Sequence, residues 1–482
     1  MKVLCSKSRI ANEIMFSDVD ATRNINLSTA FSKKIDMSST LRKAQGIRSR
    51  IFRTLATIFV VQTLLVPLLA RAVPAFARQT GQQCATCHAG GQFPELTSFG
   101  RMFKMTGYAI GNRTIPLSAM GVASFTKSAS PSEDEAFAKD AVALFQTGSV
   151  FVAGKITDKS GILAQVTYNN YDSRDPNTGH WKSKWGSDNL DLRYADHVTV
   201  QGKDVIVGLD LNNNPSISDP WSTAPAWIQY VPTRFGVTGP DAAPVVTQLG
   251  AQVAGVGAYA FWNSMVYVEA SAYRTANGAW SFLSQGTANA DQVKLRGVNP
   301  YLRMALSREW GPHSAMIGVL AMNADVYPDN LNPAGSTTQF HDRGFDAQYQ
   351  YALDPHTITA QLSYIHESIA HGDRTQIAAN KVNQLNQLKL KATYTYHARY
   401  GASLAYFSTT GSSDAILYPD AASNPDTRGW TPELFWIPEQ HLRAGIQYFA
   451  HDRFHGASKN FDGAGRDARN NNTLFVYLWG NY

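Results

Sequence analysis

The stretch Cys84-Ala-Thr-Cys87-His88 has the residue types and spacing most suggestive of chemistry in this sequence. Two thiols with two residues between them can each add to one vinyl group of a porphyrin. The adjacent histidine then sits under the iron as proximal ligand. The pattern is the attachment signature of haem c and implies one covalently bound haem. Cys84 and Cys87 would be the thioether residues and His88 the iron ligand at which electron transfer takes place. Two rival uses of a thiol pair are weaker. A redox dithiol of the thioredoxin kind wants a βαβ setting, and none follows. Zinc would need two more ligands at suitable spacing, and there is no second cysteine pair. For the sixth position, Met102 and Met105 lie 14 and 17 residues after His88, with Met120 further on. Methionine opposite histidine raises a haem potential. The alternative is that these methionines only pack the haem edge or a short helix.

Attachment of haem c takes place outside the cytoplasm, and the residues before the motif suit export. An apolar run at 54–70 follows Arg48, Arg50 and Arg53, and it ends on two small-x-small sequences, Ala70-Arg71-Ala72 and Ala75-Phe76-Ala77. This is the three-part layout of a secretory signal peptide, and Pro67 with the Ala-rich exit suits cleavage better than a transmembrane anchor. The polar residues before Met37 are foreign to such a leader, so translation is expected to start at Met37. The expected organisation is a leader at 1–72, a small, mainly helical haem segment at 73–116, and a larger unit at 117–482.

That larger unit alternates with period two. Phe345, Ala347, Tyr349, Tyr351 and Leu353 alternate with Gly344, Asp346, Gln348, Gln350 and Ala352. The pattern recurs at 356–366, 386–396 and 441–451, and it marks strands with one apolar and one polar face. About sixteen segments fit, near 117–127, 143–155, 160–171, 189–199, 203–212, 248–258, 263–273, 298–308, 313–323, 343–353, 356–366, 386–396, 399–409, 430–437, 441–451 and 473–482. Most are about ten residues long, enough for a tilted strand to cross an outer membrane. Tight turns such as Asp354-Pro355 alternate with long polar loops at 212–247, 274–297 and 410–429. Aromatic residues gather near segment ends, as in Tyr394-Tyr396 and Tyr477-Trp479, and the chain ends on Tyr482. The fold expected is all-β, a transmembrane antiparallel outer-membrane barrel of about sixteen strands preceded by the haem segment. A soluble sandwich or propeller also alternates, but no 40–50-residue repeat is visible.

Composition removes other classes. Charged residues make up 17% and hydrophobic ones 44%, which excludes a disordered chain. The net charge of +6 is concentrated in the leader: residues 1–72 hold 12 of the 43 Lys and Arg but 4 of the 37 Asp and Glu, leaving 31 basic against 33 acidic residues beyond them. No basic surface for nucleic acid remains. There is no P-loop, no dinucleotide fingerprint and no H-E-x-x-H zinc motif. His451 and His455, four apart, read as loop residues because nothing suggests a helix there.

The run Val73-Pro-Ala-Phe-Ala-Arg-Gln-Thr-Gly-Gln-Gln-Cys-Ala-Thr-Cys-His88, with Phe99-Gly-Arg, Phe103-Lys and Gly107-Tyr108, resembles the fused outer-membrane monohaem cytochrome–porins of iron-oxidising bacteria. Asp426-Thr-Arg-Gly-Trp430 and Asn471-Asn-Thr-Leu-Phe-Val-Tyr-Leu-Trp479 are similar to that family too, so the resemblance spans the whole mature chain. It implies an oxidoreductase at the outer membrane of a Gram-negative bacterium. Such a protein takes electrons from extracellular Fe(II) and passes them through the barrel to a periplasmic cytochrome c or a copper protein of the rusticyanin type. Cys84, Cys87 and His88 carry over by match of motif; the sixth ligand does not. Two other functions remain open: a haem conduit for another donor, or a solute porin with a haem plug. No Fe(II) site is legible. Loop carboxylates such as Asp172 and Asp175 could attract the ion, or could be no more than solvated loop charges.

Overall fold

The computed structural model describes residues 74–91, 94–130, 143–174, 181–222, 242–285, 292–372, 377–420 and 422–482, without the side chains of 170–174 and 181. The leader, with Met37 and the first of the two cleavage sequences, lies outside them. So do Asp175 and the side chain of Asp172.

Sixteen strands close into one antiparallel barrel. They are β1 (Leu117–Ser128), β2 (Ala143–Thr157), β3 (Ser160–Arg174), β4 (Trp181–Val200), β5 (Lys203–Asn212), β6 (Val253–Trp262), β7 (Val266–Thr275) and β8 (Asn299–Trp310), then β9 (His313–Val326), β10 (Thr338–Leu353), β11 (His356–His371), β12 (Val382–Tyr396), β13 (Tyr400–Gly411), β14 (Thr427–Glu439), β15 (Leu442–Arg453) and β16 (Thr473–Asn481). Each strand pairs with its sequence neighbours. β1 pairs with β16 from Met120↔Asn481 to Ser128↔Thr473, which completes the ring. Connections of two or three residues at one rim alternate with long loops at the other. The Gln201-Gly202 turn shows why the short ones are tight. Both residues have positive φ, 52° and 71°, the twist that a two-residue hairpin requires.

The side chains are arranged inside out relative to a water-soluble protein. On β8, Leu302, Met304 and Leu306 point outward and are each more than half exposed, while Tyr301, Arg303 and Ala305 between them face inward and are buried. An aliphatic side chain left in water costs about 1.5–3 kcal/mol. A belt of them, carried round the ring by Ile317, Val319, Leu404, Leu434 and Leu478, is stable only against hydrocarbon. Because the ring is closed, no strand edge is left unpaired, the other condition for a sheet to cross a bilayer. Exposed aromatics edge the belt: Trp310, Tyr396, Tyr400 and Trp436 towards the short turns, Trp185, Tyr364, Trp430 and Tyr448 towards the long loops. Such rings favour the membrane–water interface. The chain is thus an outer-membrane barrel, and by the rule for such barrels its short turns face the periplasm.

The strand count matches the sequence reading, but two strands begin later. The alternation at 248–258 is partly a lumenal fold. Val245, Val246 and Leu249 pack inward on Tyr273, Tyr301 and Met322, and the N–H groups of Val245 and Val246 donate to Glu367 and Asp342 at 2.6 and 2.9 Å, so β6 starts at Val253. Asn263 and Ser264 both take left-handed φ and form a turn, so β7 starts at Val266 rather than 263. Several strands also run past the membrane on the loop side, β4 from Trp181 and β10 from Thr338. His451 is a correction: it lies on β15 and faces inward, 4% exposed, between the rings of Phe407 and Phe454. His455 does lie in the loop that follows, beside Asp420.

Candidate functional site

The residues before β1 fold into the lumen at the short-turn rim as three helices: α1 (Ala75–Thr80), α2 (Cys84–Cys87) and α3 (Ser98–Met105). α2 is a single turn, closed by the His88 N–H donating to the Cys84 carbonyl at 2.8 Å. His88 then extends and bridges antiparallel to Leu96, while Ala89 donates to Glu95 and Thr97 to Cys87, each at 2.9 Å. Gly90 and Gly91 turn the chain at φ 62° and 73°. A side chain on Gly90 would collide with Thr395 of β12, its Cβ 2.5 Å from the hydroxyl. The motif hairpin therefore lies directly on the inner wall, against β10, β11 and β12. The Cys84 N–H reaches the Gln440 side chain in the β14–β15 turn at 3.4 Å.

Thr97 caps α3, accepting from the Gly100 N–H at 3.2 Å, and also donates to the Thr86 carbonyl at 2.5 Å. At Gly100 the helix meets α2 so closely that a Cβ would stand 2.1 Å from the Cys87 carbonyl oxygen. From there α3 crosses the lumen. Arg101, 2% exposed, donates to Leu96, Gln350 and Ser314 at 2.8, 3.0 and 2.7 Å and pairs with Glu309 at 3.3 Å. Burial lowers its pKa to about 10, with Glu309 opposing, so it stays charged. Lys104 donates to the carbonyls of Ile217 and Asp219, the latter at 3.1 Å, and burial with Arg193 nearby lowers it to about 8. Beyond the helix, the Tyr108 hydroxyl donates to Asp191 at 2.5 Å. α1 packs alongside through the Phe76 ring, centred 4.9 Å from Phe103 and 5.1 Å from Tyr108.

Ile217 and Asp219 belong to the β5–β6 loop, whose short helix α4 (Pro215–Ser218) folds into the lumen from the opposite rim. Arg193 donates to the Ser218 carbonyl at 2.7 Å while paired with Asp191, and Arg303 pairs with Asp219 at 3.1 Å and with Asp346 at 2.7 Å. These bonds fix Trp221, 1% exposed, with its ring 5.5 Å from Tyr267. Segment and loop meet at Lys104.

Met105 is enclosed on this side of the lumen. It is 2% exposed among Trp221, Tyr259, Tyr267 and Met316, and its carbonyl accepts from Tyr259 at 2.8 Å. Met102 packs against the same cluster. Gly100 faces Cys87, and Met102 stands about 200° further round the helix. In this arrangement both methionines serve the contact between α3 and the wall. Sequence reasoning passed over Arg101, Lys104, Glu95 and Lys391, because a charged residue destined for a lumenal partner carries no local signature.

The residues fit the haem that the motif implies. Cys84 and Cys87 are both free thiols on one turn, and His88 follows them. No group of three or more His, Cys, Asp or Glu among the described residues could hold a metal ion by itself. Burial raises the Cys84 thiol and lifts Cys87 to about 11, unlike the lowered thiol of a redox dithiol. Burial lowers His88 to about 4, leaving its imidazole neutral, the ligand form. On the wall beside the hairpin, Gln361 is 5% exposed and neither atom of its amide has a hydrogen-bond partner among the described residues.

No family model matches the sequence, and no curated protein matches it. Among solved structures the barrel is similar to the outer-membrane channel DcaP of Acinetobacter baumannii, at 12% identity and a TM-score of 0.43, covering 76% of this chain and 96% of that one. It is similar also to OmpF of Salmonella typhi in complex with daunomycin, at 10% identity and 0.44, covering 76% and 97%. A third is a loop-deletion mutant of OmpT, an outer-membrane protein of Vibrio cholerae, at 11% and 0.41, covering 77% and 99%.

Proposed function

We propose that this chain is an outer-membrane electron conduit that oxidises Fe(II) outside the cell and delivers the electrons to a periplasmic carrier, a cytochrome c or a copper protein of the rusticyanin type. The observation that carries the reading is that the Cys84–His88 hairpin is built into the lumen of a membrane barrel. It is held there by buried charged contacts rather than hung from it. A c-type haem bound through Cys84 and Cys87, with His88 on the iron, would supply a one-electron redox centre. Oxidation of Fe(II) is itself a one-electron step and needs no general acid, base or nucleophile. The choice of Fe(II) as donor rests on the resemblance to the cytochrome–porins.

The chain's own residues have three tasks. Arg101 and Glu95 lock the segment to the wall and Lys104 ties it to the β5–β6 loop, so the distance between the redox centre and the rim is fixed. The β5–β6 loop, tied by Arg193 and Arg303, packs on α3 from the other side and narrows the water path. The motif stands at the short-turn rim, where a soluble periplasmic carrier can approach.

The test is to purify the mature protein in detergent, stain a denaturing gel for covalent haem, and add Fe(II) at acidic and neutral pH. The expected result is covalent haem in the wild type, none in Cys84→Ser/Cys87→Ser, and haem reduction by Fe(II). Reduction only by other donors would leave a conduit with a different substrate. Ion conductance without any haem would make the chain a plugged porin and overturn the reading.

A further inference from the structure

Among the described residues, the cations that face the lumen around the haem-motif segment are matched, with one exception. Arg101 has Glu309, Arg193 has Asp191, Arg303 has Asp219 and Asp346, Lys391 has Glu95, and Arg443 has Glu433. Lys104 is held by two loop carbonyls. Such pairing is the rule for charges removed from water. Lys389 breaks it. It lies on β12 two residues from Lys391, so its side chain emerges on the same inward face about 7 Å along the strand. It is partly buried, and no carboxylate interacts with it among the described residues.

Its surroundings carry the same signal. Gln361 on β11 stands directly opposite Lys391, and its amide oxygen and nitrogen are both buried without partners. Two strands further round, the Thr431 hydroxyl is in the same state, and so is the Gln447 amide oxygen on β15. A buried polar group left without a partner is destabilising, so such groups mark places where a ligand can bind. This stretch of wall is also where the motif hairpin rests. Gly90 touches Thr395, further along the same face of β12, and Glu95, which is hydrogen-bonded to Ala89, pairs with Lys391. The unmatched cation therefore stands one side-chain position beyond the motif's own anchor.

We propose that Lys389, with the amide of Gln361 beside it, receives a propionate carboxylate of the haem carried by Cys84 and Cys87. The inference rests on the haem reading above. A carboxylate supplies the missing counter-charge for Lys389 and an acceptor for the Gln361 N–H, and haem brings two such groups on flexible arms. The neighbouring carboxylates, Glu95 and Glu433, are already engaged by Lys391 and Arg443. A cation beside the propionate also weighs against the oxidised, more positive iron, so Lys389 raises the potential at which the centre accepts an electron. That direction suits a donor as weakly reducing as Fe(II).

The test uses the intact, haem-loaded protein in detergent and compares wild type, Lys389→Met, Lys389→Arg, Gln361→Leu and the control Arg308→Met, whose side chain is on the outer face. Three readouts are taken: haem stain per polypeptide, midpoint potential, and the propionate bending band in the resonance Raman spectrum. The expected result is full haem content throughout, with a lowered potential and a shifted propionate band in Lys389→Met. Lys389→Arg should restore both, Gln361→Leu should show a smaller band shift, and Arg308→Met should match wild type. Equal potentials and bands in wild type and Lys389→Met would overturn the proposal while leaving the haem reading intact. A potential that depends on added citrate in wild type but not in Lys389→Met would assign the cation to a free carboxylate, and overturn it as well. Absence of covalent haem from wild type would remove the reading on which it rests, and the proposal with it.

Discussion

Lys391 of β12 donates to Glu95 of the haem-motif segment at 2.5 Å, joining residues 296 apart in sequence through two side chains that are each less than a tenth exposed. The pair ties the lumenal segment to the wall, and removing one member leaves the other charged and enclosed. Glu95→Gln is expected to destabilise the docking of the segment by about 3 kcal/mol. Limited proteolysis of the folded barrel should then cut between Gly81 and Asn112, a stretch that stays protected in wild type.

Arg101 is a second anchor to the wall. Arg101→Met removes the donors to Gln350, Ser314 and Glu309, all on the barrel wall. The expected outcome is a higher single-channel conductance in planar bilayers, because the segment no longer seals against β8, β9 and β10. Unchanged conductance would show that the inward β5–β6 loop alone closes the lumen.

Gly100→Ala tests the approach of α3 to the motif. The new Cβ would meet backbone atoms of Cys87 at 2.1 to 3.2 Å, and backbone cannot swing away as a long side chain can. Overpacking of this kind costs about 1–3 kcal/mol. The variant should carry less covalent haem per polypeptide on a stained gel, while its barrel keeps the heat-resistant migration of wild type.

Acid should leave the loop rim intact until strongly acidic pH. Burial pushes the Asp414 carboxyl up, but the N–H groups of Ala379, Asn380 and Leu417 and the Asn383 amide outweigh it and hold the carboxyl far below the usual range. A carboxyl whose folded pKa is depressed contributes stability that is complete above its unfolded pKa and is lost as pH falls through the folded value. The clasp between the β11–β12 and β13–β14 loops should therefore show unchanged hydrogen-exchange protection from neutral pH to about pH 4, the ordinary carboxylate value. It should weaken only below that. Asp414→Ala should lose the protection at every pH.

Of the two small-x-small sequences, Ala75-Phe76-Ala77 falls inside α1, where Ala75 is buried and the Phe76 ring packs on Phe103 and Tyr108. Gln79 of the same helix bonds to the Tyr108 and Ile110 carbonyls at 2.6 and 2.8 Å. Mass spectrometry of the mature protein is expected to find Val73 at its amino terminus, after Ala72, so that this helix is kept whole.

The barrel was legible because lipid on one side and a polar lumen on the other impose a period of two on every strand, as in Leu442, Ala444, Ile446 and Tyr448 outside against Arg443 and Gln447 inside. The reading faltered where an apolar residue faced inward. Val245, Val246 and Leu249 have strand-like composition, but their burial is in the lumen. The Cys84–His88 motif was legible because its chemistry is local. Its setting was not: Arg101 answers to Gln350 and Lys391 to Glu95, and no short-range pattern announces a partner two or three hundred residues away. Period two did assign Lys389 and Lys391 to one face. Which of the two was paired depended on Glu95, which is in another element.

The seam between β1 and β16 also orders events in time. The haem-motif segment precedes β1 in the chain, yet lies within the ring that this seam completes, with Cys84 turned away from solvent. Once first and last strands have zipped together, an enzyme in the periplasm can no longer grip that segment as an extended peptide. On the proposed haem reading, attachment at Cys84 and Cys87 is therefore expected on the unfolded export intermediate, before insertion, so that cofactor loading would precede barrel closure.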